Sequence, residues 1–297
     1  MRVDPFYVYN LSGALDQAQA TQENLSQELS SGLRVNSIGQ DPVASAENVQ
    51  FLNSIQQDDS FTQTASLTTG MLQVTDSALG SVVTQLTQAL SLATEANNGT
   101  LNSSDLQSVS NELAGIRDEV VSLANTSYQG VYIFAGGQSS TSPFSLNSST
   151  TPATVTYSGD SDVNTLQTPN GQSIQLNLPG NQVFLSSTAN VLGTLNNLVA
   201  DYANGGSGSG VSDTSALNDA INYLSQQRVT IDNSITRLKN ASSAITDQQT
   251  QLTTVQTNLM QADVAQVSSQ LSLSESQQTA LINVIAALGQ GSLFDKL

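Results

Sequence analysis

The sequence predicts a mainly α-helical chain: an elongated antiparallel helical rod, a terminal coiled coil made from its N- and C-terminal helices, and one small, distal β-rich insert. Three observations predict it. Near the start, Leu11, Leu15, Ala18, Leu25 and Leu29 fall at alternating four- and three-residue steps, with Gln22 filling one slot. Near the end, Val264, Val267, Leu271, Leu281, Ile285 and Leu288 keep the same step, with Ser274 and Gln278 filling two slots. Between the two helical halves the pattern changes to short apolar runs punctuated by Gly, Pro and Asn. A seam recurring about every 3.5 residues needs a partner helix. Because the insert is a single excursion, the second half returns antiparallel along the first and brings both termini to one end.

In chain order, a first helix is expected from about Asn10 to Leu33, broken by Gly32 and by the run Asn36 to Pro42. Pro42 suits the first turn of a new helix, with Asp41 as its cap. Helical pattern then continues from Val43 to about Asn97, weakened at Gly70 and Gly80 and closed by Asn98-Gly99. Ser103 or Ser104 is the expected cap of the next helix, which carries Leu106, Val109, Leu113, Ile116, Val120 and Leu123. Val131-Tyr132-Ile133-Phe134 is dense in β-branched and aromatic residues and reads as a strand ended by Gly136-Gly137. The β-rich segment continues to about Leu185 through Val155 to Tyr157, Ser173 to Leu178 and Val183 to Leu185. Asn204 to Gly210 is a flexible linker by composition. Helix resumes at about Asp213 and runs through Leu217, Leu224, Ile235, Leu252 and Leu259. The step set there does not continue into Val264 and Val267, which predicts a hinge or stutter near Ala262. The expected organisation is a terminal coiled-coil assembly domain (residues 1–40 and 262–297), a helical rod domain (41–134 and 211–261) and a β-rich outer insert with a Gly/Ser linker (135–210).

Composition narrows function. Seven Lys plus Arg stand against 24 Asp plus Glu, a net charge of −17. That balance disfavours nucleic acid and anionic membrane surfaces, which need basic patches. The chain has no Cys and no His, which removes thiolate sites, the commonest general base and the commonest metal ligand. No run of about 18 apolar residues is present. The start lacks the apolar core and cleavage site of a secretory signal, so an exported form would leave by a route that does not remove one.

Enzyme readings find no support. Asp58-Asp59 is an adjacent pair whose side chains diverge by about 100° on a helix. Asp160 and Asp162 flank a turn but lack the dense oxygen-ligand spacing of a calcium loop. Gly205 to Gly210 has no Lys and is not a phosphate loop. No cofactor or metal is expected. The polar slots at Gln22, Ser274 and Gln278 make the seams marginal in a monomer, since each forfeits the roughly 1.5–3 kcal/mol of a buried Leu. A subunit completed by its neighbours is the expected outcome.

Several motifs carry a resemblance. Leu29-Ser30-Ser31-Gly32-Leu33-Arg34-Val35-Asn36-Ser37 followed by Asp41-Pro42 resembles the N-terminal signature of the flagellin superfamily. Gln278-Thr279-Ala280-Leu281 and Ser292-Leu293-Phe294 resemble its C-terminus. Within the superfamily, Asn125-Thr126 and Gly130-Val131-Tyr132-Ile133-Phe134-Ala135-Gly136, with Pro143-Phe144, are most similar to the hook-filament junction proteins. Tyr128-Gln129-Gly130 stands where flagellins carry a Phe-Asn-Gly turn, and Asp4-Pro5-Phe6 stands where polar, Met-rich sequence is usual. The resemblance implies a structural protein of the bacterial flagellum. It would form a ring of identical subunits between another hook-associated junction protein and the flagellin filament, extracellular and exported unfolded by the flagellar type III system. A flagellar export chaperone would bind the C-terminal helix. The implied family motif residues are Gly32, Arg34, Asn36, Asp41, Pro42, Asn125, Gly130, Tyr132, Phe134, Gly136, Pro143 and Phe144. The implied assembly residues are the two seams together with Phe294. The alternatives are flagellin itself, or a coiled-coil adhesin or fibre protein.

Overall fold

The computed structural model describes residues 5–169, 171–205 and 210–293. Its elements run α1 (Pro5–Ser31), α2 (Pro42–Ala96), α3 (Ser103–Ala124), β1 (Ser127–Tyr128), β2 (Val131–Tyr132), β3 (Phe144–Asn147), β4 (Thr154–Tyr157), β5 (Thr165–Gln167), β6 (Ser173–Gln175), α4 (Gly180–Phe184), α5 (Val191–Ala203), α6 (Gly210–Met260) and α7 (Val264–Leu293). The order helix, β insert, helix is the one the sequence predicts. The chain divides into two compact units, one of residues 1–58 and 247–297 and one of residues 59–246.

In the unit of residues 59–246, one stripe of each helix faces a common core. Leu72, Leu79, Val82 and Leu86 come from α2, Leu113 and Val120 from α3, and Leu217, Leu224 and Leu238 from α6. The helix α2 tolerates Gly70 in mid-run for a packing reason. A Cβ there would sit 2.6 Å from the Tyr128 hydroxyl, so the missing side chain lets the hairpin tip lie on the helix. Arg228 of α6 grips Asp76 of α2 with two bonds, 2.7 and 3.0 Å long.

The cap of α3 is Asn102, not Ser103 or Ser104. Its side-chain oxygen accepts from Ser104 N and Asp105 N at 2.8 and 3.0 Å, and Asp105 returns a bond to the Asn102 N–H. The amide reaches both orphan donors from one residue earlier, so the serines fall inside the helix. Replacing Asn102 by Ala should cost about 1 kcal/mol. An unchanged thermal midpoint would refute that cap.

The insert is three separate two-stranded antiparallel hairpins, β1-β2, β3-β4 and β5-β6. The first is closed by Gln129 and Gly130, at φ of 52° and 84°. Positive φ at both central residues is the requirement of a type I′ turn, which favours Asn-Gly; Gln129 accepts a conformation uncommon for its type. The strand expected over Val131 to Phe134 stops at Tyr132. Ile133 and Phe134 turn into the core instead, and the Phe134 carbonyl takes its bonds from Gly180 N (2.7 Å) and Tyr157 Oη (3.0 Å) rather than from a ladder. Val183 and Phe184 are likewise helical, in α4.

Helix α5 was not foreseen. Asn190 caps it through Gly193 N, and Val191, Leu192, Leu195 and Leu198 are fully buried. Ser110 of α3 donates to the Val199 carbonyl at 2.8 Å and ties the two helices. The hinge expected near Ala262 is present. The phase shift is a true break: α6 ends at Met260, and Asp263 caps α7 by accepting from Ala265 N and Gln266 N at 3.0 and 3.1 Å.

Candidate functional site

The unit of residues 1–58 and 247–297 brings the predicted seams together. Leu25 packs with Ala262 and Val267, and Leu271 lies against them. Ser274 Oγ reaches the Ala18 carbonyl at 3.5 Å. Rising numbers on α1 meet falling numbers on α7, so the pair is antiparallel. Leu11, Leu15, Ala18 and Gln22 of α1 and Leu271, Gln278, Leu281 and Ile285 of α7 are half-buried along the same contact, and Ser274 is buried within it. The polar slots therefore sit in the seam itself. Two expected seam residues do not. Val264 is 52% exposed and Leu29 37% exposed, because Val264 opens its helix and the chain after Leu29 leaves α1. Leu288 belongs to α7, though its side chain is outside the described residues. Phe294 and residues 206–209 of the Gly/Ser linker also lie outside them.

Alongside this seam runs an open groove of about 810 Å³. Ala14, Gln17 and Thr21 of α1 form one wall, and Leu273, Gln277, Ala280 and Val284 of α7 form the other. The α7 residues step by four, three and four: a second heptad row that sequence reasoning missed. Its spacing was readable, but Gln277 and Ala280 dilute its apolar signal. Leu273 is 60% and Val284 42% exposed, so the row lacks a partner among the described residues. Neither α1 nor α7 carries a Lys or Arg.

The base of the pair is held by the Leu29 to Pro42 motif. Gly32, at φ of 69°, ends α1. Leu33 pairs antiparallel with Gln261, Arg34 N donates to the Met260 carbonyl at 2.7 Å, and Ala262 N donates to the Gly32 carbonyl at 2.9 Å. The Arg34 guanidinium adds bonds of 3.2 and 3.0 Å to the Leu259 carbonyl, an exposed acceptor at the end of α6. A cation there also suits the helix dipole. The same guanidinium reaches Asp41 Oδ2 at 3.2 Å, while Asp41 Oδ1 caps α2 through Ala44 N at 3.0 Å. The Ala44 N–H above all, and Arg34 beside it, hold the Asp41 carboxyl below its usual range. Asn36 donates to the Leu33 carbonyl at 3.0 Å, and Pro42 opens α2. One arginine thus joins the ends of α6 and α2 beside the α1 exit.

The second motif organises the insert. Asn125 mimics a strand residue: Nδ2 donates to the Phe144 carbonyl and Oδ1 accepts from Phe144 N, both at 2.9 Å. Phe134 meets the Phe184 ring edge-on at 5.1 Å, and Phe144 does so at 5.4 Å. Phe144 also stacks at a tilt on Tyr157 at 5.0 Å. Pro143 is buried beside them, Tyr132 is half-buried, and Gly130 and Gly136 take positive φ at the turns. Among the described residues, no helix is long and apolar enough to cross a membrane.

Terminal helices that pair with each other, with a helical core and a β insert between them in sequence, are the layout expected of a flagellin-like chain. Residues 8–139 match the bacterial flagellin N-terminal helical region. The chain also resembles flagellar hook-associated protein 3. That protein of Salmonella typhimurium is 31% identical over 187 residues, 63% of this chain and 57% of the relative. The chain thus spans little more than half the length of that relative. Flagellin 1 of Proteus mirabilis is 29% identical over 126 residues, 42% of this chain and 34% of that protein. A solved structure of a protein described as flagellar hook-associated, from Vibrio parahaemolyticus, shares the fold. Its TM-score is 0.65 at 20% identity, covering 75% of this chain and 100% of that one.

Proposed function

We propose that this chain is a structural subunit of the hook-filament junction, seated between another hook-associated protein and the flagellin filament. The observation that carries the reading is the longer match to hook-associated protein 3, over 187 residues against 126 for flagellin. The α1-α7 pair supports assembly. Among the described residues its buried apolar cluster is Leu25, Ala262 and Val267, too small to anchor two long helices, and a second row stands open beside it. Neighbouring subunits complete the packing in a ring of identical copies outside the cell. The same weakness suits export unfolded through the flagellar type III system, with a chaperone on α7. The seam residues, the α7 groove row and Phe294 are the proposed assembly surface. The role is structural, with no catalytic step.

Deleting the gene tests the reading. Hooks should remain, filaments should be absent, and unassembled flagellin should appear in the medium. Filaments of normal length in the deletion strain would overturn it. A filament-subunit role instead predicts that no flagellin of this sequence is released, and secretion that persists in a strain blocked in flagellar export would favour an unrelated fibre protein.

A further inference from the structure

Where α5 ends and α6 begins, two acids face each other. Asp201 lies in the last turn of α5 and Asp213 in the first turn of α6. Their side chains are hydrogen-bonded to one another. Each keeps its Oδ2 out of water with no other hydrogen-bond partner among the described residues. Two carboxylates have no hydrogen to share, and buried oxygens without a donor are costly. A proton on one of the pair supplies the missing donor.

The surroundings favour that proton. Tyr202 sits beside the pair with its hydroxyl 3.1 Å from the Ala93 carbonyl and 3.0 Å from Asn97 Oδ1. Asn97, at the end of α2, donates to Thr214 Oγ1 at 2.9 Å. Three helix ends therefore meet at this point. Among the described residues no basic group acts on Asp213; burial and the Asp201 charge push its carboxyl up to about 6. Burial first, then the two acids, raises the Tyr202 hydroxyl to about 12, so it stays neutral. On the neighbouring elements, Asp105 of α3 is turned onto its own helix start and Arg117 onto Asp118. Glu95 of α2 and Asp219 of α6 are exposed.

We propose that Asp201 and Asp213 form a proton-latched joint, in which one shared proton holds the C-terminal turn of α5 to the first turn of α6 and its loss loosens both. The sign follows from linkage. The folded pair binds its proton more tightly than an unfolded aspartate does, so the joint is tightest in mild acid. It weakens as pH rises through about 6. This device is independent of the flagellar reading.

Hydrogen exchange on the full chain at about pH 5 and about pH 8, corrected for intrinsic rates, tests it. Protection at 198–203 and 213–217 should fall by roughly tenfold between the two, less than the full shift because the pair is part-exposed. Asp213→Asn supplies a permanent donor to Asp201 and should remove the step; Asp201→Asn should do the same from the other side. Equal wild-type protection at both pH values, or a step that survives in both variants, overturns the latch. Direct carboxyl titration by carbon NMR guards against a variant that fails to fold. An Asp213 midpoint in the ordinary aspartate range refutes the proposal.

Discussion

Replacing Phe134 by Ala should destabilise the 59–246 unit by about 3–5 kcal/mol. The ring is fully buried and meets Phe184 edge-on at 5.1 Å. Edge contacts of this kind add to the area the ring buries. The loss would spread because the same residue's carbonyl is shared by Gly180 N and Tyr157 Oη. When the ring's anchor goes, α4 and the β3-β4 hairpin lose a common attachment. Denaturant unfolding reads the effect as a lower midpoint, and hydrogen exchange should show protection falling at 144–157 and 180–184. The half-buried Tyr132 is the internal comparison: its replacement by Ala should cost less. A Phe134 variant within 1 kcal/mol of wild type would show that the aromatic cluster is not what organises the insert.

The double substitution Leu273→Asp, Val284→Asp should abolish assembly while leaving the isolated chain folded. Both side chains stand in the open row of α7, well exposed, and surface changes of this kind usually shift stability by about 0.5 kcal/mol or less. In the proposed ring the row would be covered, and two buried unpaired carboxylates there would be prohibitive. Val267→Asp makes the contrast, since Val267 is buried against Leu25 and its loss should weaken the α1-α7 pair itself. Circular dichroism melting of the purified chains and motility of a complemented deletion strain separate the two effects. Normal motility with the double variant would remove the groove row from the assembly surface.

The helical halves were legible because their apolar residues repeat. The antiparallel pairing of α1 with α7 followed from the two seams and the single excursion of the insert, and the start of α2 at Pro42 with its Asp41 cap followed from capping chemistry. The polar slots Gln22, Ser274 and Gln278 were correctly placed inside the seam by phase. Legibility failed where a residue's partner is distant in sequence. Phe134 looks like strand material locally, but Gly180 and Tyr157 claim its carbonyl. The Asn125 side chain pairs with a backbone 19 residues away, which no local rule announces. Helix α5 carried a readable signal in Asn190, Val191, Leu192, Leu195, Leu198 and Tyr202, but the punctuated stretch before it masked its start. Arg34 was visible as part of a motif, while its reach to Leu259 depends on how the chain returns.

The break between α6 and α7 separates the phases of the two helices. In an unbroken helix, inserting or deleting one residue in α6 would turn everything downstream by about 100° and swing the terminal seam off its partner. Here Gln261 is pinned to Leu33 and Asp263 restarts the helix. Angular register is reset at that joint, so the face α7 turns toward α1 is set by Asp263 and the Leu33 bridge and not by the phase of α6.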